Sequence, residues 1–208
     1  MLLTESADLN RREKKVKISE VSQKYRIAME KALKKDRFDH TLGVAYTAAN
    51  MAFVFDEDIE KAIIAGMLHD CAKCIPHSEQ IEICNKYGVT LTDIEMRNQK
   101  LIHAKAGMCL ARHKYDIDDP YILDAIRYHT TGRPDMTKLD KIIFTADFIE
   151  PNRKMLRDMD VIRKEALSDL DRAVYHILKN SIDYLGSQDD EMDPMTVKTY
   201  EFYAKMFE

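Results

Sequence analysis

The sequence has few residues that interrupt regular structure, and it has no long apolar run. Its 208 residues include six Gly, five Pro and no Trp. This scarcity of Gly and Pro excludes collagenous and low-complexity chains, whereas 45% hydrophobic and 33% charged residues are typical of a globular domain. No stretch approaches the roughly 18 consecutive apolar residues of a transmembrane helix, so we expect no membrane span.

Cysteine and positive charge are also limited. Four cysteines in a chain of this length do not form a disulfide framework. The first twenty residues lack the uninterrupted apolar run and the small-residue cleavage site of a secretory signal. We therefore expect a cytoplasmic protein with reduced thiols. The net charge of -4 argues against a general nucleic-acid binder, although a local field can still attract a small anion.

The hydrophobic periodicity is helical throughout. Apolar residues recur at spacings of three and four from Ser19 onward, and no stretch alternates as a strand would. The pattern predicts an all-α fold, with helices over 19–34, 40–55, 59–71, 77–86, 91–96, 99–114, 118–129, 138–149, 160–185 and 194–207. Gly186 is placed to end the long helix 160–185. The charge-dense residues 1–18 predict a frayed N-terminal arm, followed by one domain over 19–208.

Several of the predicted helical segments aim a His or Asp side chain at the interior. The residues of this kind are His40, His69, Asp70, His103, His129 and Asp147. Each of them alone fits an ordinary hydrogen-bonded core residue. Together they need compensation, because an isolated buried carboxylate costs several kcal/mol. One divalent metal satisfies several such groups, and a His and Asp donor set suits iron, manganese, zinc or cobalt better than calcium.

The order His40, His69-Asp70, Asp147 resembles the H…HD…D signature of the HD phosphohydrolase superfamily. The surrounding segments are more specific: RFDHTLGVA at 37–45, AGMLHDCAK at 65–73, AIRYHTTGRPDM at 125–136 and KIIFTADFIEPNR at 141–153. These segments resemble the YqeK family, described as symmetrical bis(5'-nucleosyl)-tetraphosphatases that split diadenosine tetraphosphate into two ADP. The resemblance runs from about 25 to 185 and implies a single HD-domain helical bundle with extra C-terminal helices.

The resemblance also implies roles for individual residues. It implies that the metal, expected to be iron, is held by His40, His69, Asp70 and Asp147. His103 opens the segment HAKAGMCLA, similar to the family's His-Gly-x-x-Gly-Ala stretch except at Ala104 and Met108, and is implied as a phosphate contact or second-metal ligand. Substrate binding is implied for Arg37, His103, His129, Thr130, Thr131, Gly132 and Arg133.

The chemistry of such a site can be stated from the residue types. A bound metal lowers the pKa of its water from about 15.7 to roughly 7, which makes hydroxide available at neutral pH. Lys73, Arg133 and Arg37 are placed to neutralise charge on the phosphoryl oxygens. Asp70 is a candidate to take the proton of the water, and His103 or His129 to protonate the leaving phosphate. The predicted catalytic residues are therefore Asp70, His103, His129 and Lys73.

Other interpretations remain open at this stage. The same ligand set serves other HD nucleotidases and deoxynucleotide triphosphohydrolases, and a nucleotide-sensing module would bind without turnover. The RREKK run at 11–15 is the one feature that favours a nucleic-acid-associated protein. Cys71 and Cys74 form a C-x-x-C, but no βαβ pattern and no second such pair support a redox or zinc role. Apolar positions on the C-terminal helix would allow a homodimer.

Overall fold

The computed structural model describes residues 20–187 and 191–207. Over these residues the chain forms helices and no strand, which confirms the predicted all-α class. The helices are α1 (Glu20–Ala32), α2 (Lys35–Val54), α3 (Ile59–Leu68), α4 (His77–Lys86), α5 (Asp93–Arg97), α6 (Gln99–His113), α7 (Pro120–Tyr128), α8 (Lys138–Ile149), α9 (Met159–Glu165), α10 (Leu170–Ser187) and α11 (Pro194–Ala204). The arm predicted over 1–18 lies outside the described residues.

Helix α3 lies in the middle of the fold, and its residues 62–68 are all buried. It packs against α1, α2, α7 and α8. It lies close to α2 where Gly66 faces Ala45, because a Cβ at Gly66 would stand 2.7 Å from the Ala45 Cα. This close crossing brings His40 and His69 together, with their ring centroids 5.4 Å apart.

Helix α2 begins earlier than the sequence pattern predicts. The predicted start was at His40, whereas the helix begins at Lys35. Phe38 is 8% exposed, so the helix already has a buried side chain two residues before the predicted start. His40 therefore lies within the helix rather than at its first residue, and the helical backbone fixes its position.

Helix α3, in contrast, ends earlier than the predicted boundary at residue 71. Tight turns follow Leu68: the Cys71 N–H donates to the Leu68 carbonyl at 3.1 Å, and the Lys73 N–H donates to the Asp70 carbonyl at 2.9 Å. Cys71 enters the main hydrophobic core, whereas Ala72 belongs to a smaller apolar cluster beneath α4 and α6. The turn that carries the His-Asp pair thus lies between two apolar regions.

The single helix predicted over 160–185 is wrong, because the structure has two helices, α9 and α10, with a break at 166–169. The Asp169 Oδ1 accepts a hydrogen bond from the Arg172 N–H at 3.0 Å and so starts the second helix. No Gly or Pro marks this break, so the apolar periodicity of the sequence predicts one continuous helix. Gly186 lies inside α10, one residue before its end. None of the described helices is long and apolar enough to cross a membrane.

Candidate metal centre and substrate cleft

Six polar side chains from five parts of the chain meet inside the bundle. They are His40 on α2, His69 and Asp70 after α3, His103 on α6, His129 after α7 and Asp147 on α8. Five of these residues are buried, and Asp147 is partly buried. The structure therefore brings together all four predicted metal ligands and both additional histidines.

His69 and His129 have the same backbone setting and the same hydrogen bond. Each occupies the C-cap of its helix, and its Nδ1 lies 2.7 Å from the carbonyl oxygen of Gly66 or Ile126, respectively. Because a carbonyl can only accept, Nδ1 carries the proton in both rings and Nε2 keeps a lone pair. A helix end thus satisfies one of its free carbonyls and at the same time fixes a ligand tautomer.

His40 is oriented by a carboxylate instead of a carbonyl. Its Nδ1 lies 3.1 Å from the Oε1 of Glu150, whose Oε2 accepts from the Asn152 N–H at 2.7 Å. Glu150 is 1% exposed. Its carboxylate has room only because residue 43 is glycine, since a Cβ at Gly43 would stand 3.1 Å from the Glu150 Cδ and closer still to its Oε2. The sequence interpretation assigned no role to Glu150, although it lies one turn after Asp147 in KIIFTADFIEPNR.

The Nε2 atoms of the histidines face the two aspartates. Asp147 Oδ1 lies 3.0 Å from His40 Nε2 and 3.9 Å from His69 Nε2. Asp70 Oδ2 lies 3.8 Å and 3.5 Å from the same two nitrogens. The other oxygen, Asp70 Oδ1, lies 3.1 Å from His103 Nε2 and 3.7 Å from His129 Nε2. Asp70 therefore stands between two groups of imidazoles.

The arrangement fits a divalent metal. The buried atoms His40 Nε2, His69 Nε2 and Asp70 Oδ1 have no hydrogen-bond partner, and nitrogen lone pairs repel carboxylate oxygens unless a cation or proton lies between them. Within the described residues, two overlapping groups have ligand atoms within 4.8 Å of one another: His40, His69 and Asp147, and His69, Asp70 and His129. Imidazole and carboxylate donors in this mixture suit a first-row transition metal.

The charges of the centre agree with that conclusion. Burial opposes the ionisation of Asp70, but the facing His69 and its other histidine contacts hold the pKa of this carboxyl well below its ordinary value. Burial also opposes the ionisation of Asp147, and the contact with His40 holds its pKa far below the usual range. Burial lowers the pKa of His103 to about 4. At neutral pH the centre therefore presents two carboxylates and a neutral His103.

A cleft of about 770 Å³ opens beside this centre, between the start of α2, the turn after α3 and the segment after α8. Its cationic lining residues are Lys34, Arg37, Lys73, Arg153 and Lys154, and its acidic ones are Asp36 and Glu150. Arg37 donates to Asp70 Oδ2 at 2.8 Å, and Arg153 donates to Asp147 Oδ1 at 2.7 Å. The Lys73 Nζ lies 3.1 Å from His103 Nε2. The sequence interpretation named Arg37 and Lys73 but assigned no role to Arg153.

Two of the predicted substrate contacts, Gly132 and Arg133, lie against residues outside the cleft. Arg133 donates from Nε and Nη2 to the buried Asp140, at 2.9 and 2.7 Å, and its Nη1 lies 3.1 Å from Asp124. A Cβ at Gly132 would stand 2.7 Å from the Thr199 side chain on α11. None of the four residues is among those that line the cleft. The buried carboxylate of Asp140 binds the guanidinium of Arg133. The substrate role of Thr130, Thr131, Gly132 and Arg133 stays a prediction.

The two cysteines of the C-x-x-C lie in different surroundings. Cys71 is buried, its thiol donates to the Gly107 carbonyl at 3.4 Å, and burial raises its pKa to about 12. Cys74 is exposed and lines the cleft. Neither belongs to the metal-binding groups found among the described residues.

The fold and the centre are those of an HD domain, in which a histidine, a His-Asp pair and a distal aspartate meet within a helical bundle. The family model described as "HD domain" matches residues 37–152, which is more than half of the chain. A crystal structure from Clostridium acetobutylicum, described as a predicted HD superfamily hydrolase involved in NAD metabolism, superposes with a TM-score of 0.85. It is 39% identical, and the match covers 88% of this chain and 97% of that one.

Two curated relatives carry a more specific name. The protein from Bacillus subtilis named "Bis(5'-nucleosyl)-tetraphosphatase, symmetrical" is 41% identical over 82% of this chain and 90% of its own length. Its namesake from Staphylococcus aureus is 36% identical over 86% and 91%, respectively. The chain belongs to the HD-domain family, within the branch that contains these symmetrical tetraphosphatases, and the resemblance noted in the sequence is confirmed.

Proposed function

We propose that this chain is a metal-dependent hydrolase that cleaves dinucleoside tetraphosphates symmetrically, converting diadenosine tetraphosphate and water into two ADP. The observation that carries the proposal is the position of the His and Asp centre at the wall of a cationic cleft. The relatives from Bacillus subtilis and Staphylococcus aureus, which carry this activity in their names, support the choice of substrate.

The lining of the cleft suits a polyphosphate. A tetraphosphate bridge carries several negative charges, and positively charged side chains in a partly enclosed site stabilise them. Arg37 and Arg153 reach the rim while each binds one of the two aspartates. Lys73 is 30% exposed at its side chain, so it can contact substrate while it remains beside His103. These three cations are the proposed phosphate contacts.

The roles of the buried residues follow from their contacts. His40, His69, Asp70 and Asp147 would hold a divalent metal, which supplies Lewis acidity and makes hydroxide available near neutral pH. Asp70 is the proposed proton acceptor, since its ionised carboxylate lies within 4 Å of both histidine groups. His103 and His129, whose Nε2 atoms are 3.1 Å apart, are placed to hold or deliver a proton beside Lys73. The leaving ADP takes that proton, and no covalent enzyme intermediate is needed.

Symmetrical cleavage also requires a fixed register. Water must attack the second phosphorus from one end of the tetraphosphate, so that each product is a nucleoside diphosphate. A site that grips one nucleoside diphosphate unit would set this register, and the alternative HD reactions would not need it. Nucleotidases and deoxynucleotide triphosphohydrolases act on mononucleotides, and a sensing module would release no product.

A substrate panel tests the proposal. The metal-loaded protein is incubated with diadenosine tetraphosphate, a deoxynucleoside triphosphate and a nucleoside monophosphate, and kcat/KM is compared. We expect at least a hundredfold preference for the dinucleotide. A preference for either mononucleotide would move the chain to another HD activity. ADP binding without any turnover would favour the nucleotide-sensing alternative.

Three finer assignments belong to the same proposal. Iron is the proposed metal, as the family resemblance implies, and the donor set of imidazole and carboxylate fits iron as it fits manganese, zinc or cobalt. Metal analysis of the purified protein tests it. The cytoplasm is the proposed location, supported by four cysteines that are all free thiols. A homodimer is proposed from the apolar C-terminal region, and sedimentation measures it.

A further inference from the structure

A second, smaller pocket adjoins the cationic cleft. It has a volume of about 340 Å³ and lies between the end of α8, the segment that follows α8, and α10. Its lining residues are Phe148, Leu156, Arg157, Asn180, Ser181 and Tyr184. Two of these are aromatic and one is a leucine, whereas the neighbouring cleft is lined mainly by charged residues. The predicted substrate contacts include none of them.

The pocket and the cleft are neighbours, because Leu156 lines both. Phe148 follows Asp147 directly on α8, so the pocket begins next to a proposed metal ligand. Two side chains of the pocket lining present apolar surface to solvent: Tyr184 is 64% exposed and Leu156 is 48% exposed. The exposed Tyr184 ring offers a face on which a nucleotide base can stack while the phosphates of the nucleotide lie in the neighbouring cleft.

The polar atoms of the pocket fit the same ligand. The Ser181 hydroxyl donates to the Ile177 carbonyl at 2.8 Å, so its oxygen is left as an acceptor toward other groups. The Asn180 Nδ2 donates to the Arg157 carbonyl at 3.1 Å, so its Oδ1 likewise remains an acceptor. Acceptors of this kind match the amino group of a base or the hydroxyls of a ribose.

We propose that this pocket is a nucleoside subsite, in which the base of one end of the substrate stacks on Tyr184 while its phosphates lie in the cationic cleft. The proposal rests on the proposed function for its choice of ligand. It also supplies the register that symmetrical cleavage requires, because a nucleoside held here fixes which phosphorus lies at the centre. Tyr184 is thus a substrate-binding residue without a part in the chemistry.

Binding measurements on the metal-loaded protein separate the base from the phosphates. The probes are ADP and inorganic tripolyphosphate, and the variants are Tyr184→Ala, Tyr184→Phe and the control Tyr46→Ala. Tyr46 is 56% exposed on α2 and lines neither the cleft nor the pocket. We expect Tyr184→Ala to weaken ADP binding about 5- to 100-fold, which is the range for one lost base stack, with tripolyphosphate binding unchanged. Tyr184→Phe and Tyr46→Ala should bind both probes as the wild type does.

Three results would overturn the subsite. These are unchanged ADP affinity in Tyr184→Ala, an equal loss of ADP and tripolyphosphate affinity, or a wild type that binds ADP no better than tripolyphosphate. A change of oligomeric state with unchanged ADP affinity would instead make the patch a contact between two copies. Failure of the proposed function gives a different result, because the wild type, with Tyr184 intact, would then not hydrolyse diadenosine tetraphosphate.

Discussion

Replacing Glu150 by glutamine tests how the metal centre is supported. Both carboxylate oxygens accept hydrogen bonds, Oε1 from the His40 ring and Oε2 from the Asn152 N–H. An amide has one acceptor oxygen and one NH2 group, so in either orientation a donor faces a donor. The substitution also removes the negative charge that favours the His40 tautomer with Nε2 free for a metal.

The structure sets the expected size of this effect. Glu150 is 1% exposed, so water cannot replace the contact that is lost. Loss of a residue that orients a ligand typically costs about 10- to 100-fold in metal affinity, or about 1.4–2.8 kcal/mol. The ligands themselves remain, so binding should weaken without being abolished.

The assay is a chelator competition that measures metal affinity directly, together with metal content per chain. Glu79→Gln is the matched control, because Glu79 is exposed on α4 and does not line the cleft. We expect Glu150→Gln to bind metal 10- to 100-fold more weakly and Glu79→Gln to match the wild type. Wild-type metal affinity in Glu150→Gln would refute the reasoning that the His40 tautomer depends on this carboxylate.

Three further predictions follow from the same structure. Gly43→Ala should reduce metal content and lower the free energy of unfolding by about 1–3 kcal/mol in a denaturant titration, because its Cβ collides with Glu150. A free energy of unfolding raised by about 1 kcal/mol, as expected at an unconstrained helical glycine, would contradict this. Arg133→Ala should lower the free energy of unfolding by about 2–3 kcal/mol, because it leaves the buried Asp140 carboxylate without its ion-pair partner. KM should stay unchanged. A raised KM at full stability would instead support the predicted substrate role of Arg133. Removal of the metal with a chelator should lower Tm by roughly 5–10 °C, because ligand at about 100 times its Kd stabilises by about 2.7 kcal/mol; an unchanged Tm would argue against a metal held in the folded centre.

Helical periodicity indicated from the sequence which polar side chains point inward, because it reports the direction of each side chain. Inward stripes on separate segments pointed His69, His129 and Asp147 at the interior, and in the structure these residues meet. These side chains point inward even where the predicted helix ends were wrong, because the direction of a side chain is set within one turn of its helix. The all-α class is confirmed for the same reason.

What the sequence did not reveal depends on tertiary pairing. Glu150 lies one turn after Asp147 on the same face, but this spacing does not identify its partner, because its role follows from a contact with His40 on a distant helix. Arg133 is predicted at the substrate by its motif, but Asp140 lies close enough to bind it. The break before α10 depends on the side chain of Asp169, which caps a helix without a Gly or Pro signal. Contacts of this kind are visible only when the chain is folded.

The central claim is that this centre splits diadenosine tetraphosphate symmetrically with the help of a metal. The most direct measurement is product analysis of the metal-loaded wild type, compared with Asp70→Ala and with a chelator-treated sample. The account predicts ADP as the sole nucleotide product, two per substrate consumed, and no product in either control. ATP together with AMP, or ADP formed equally by Asp70→Ala, would contradict it.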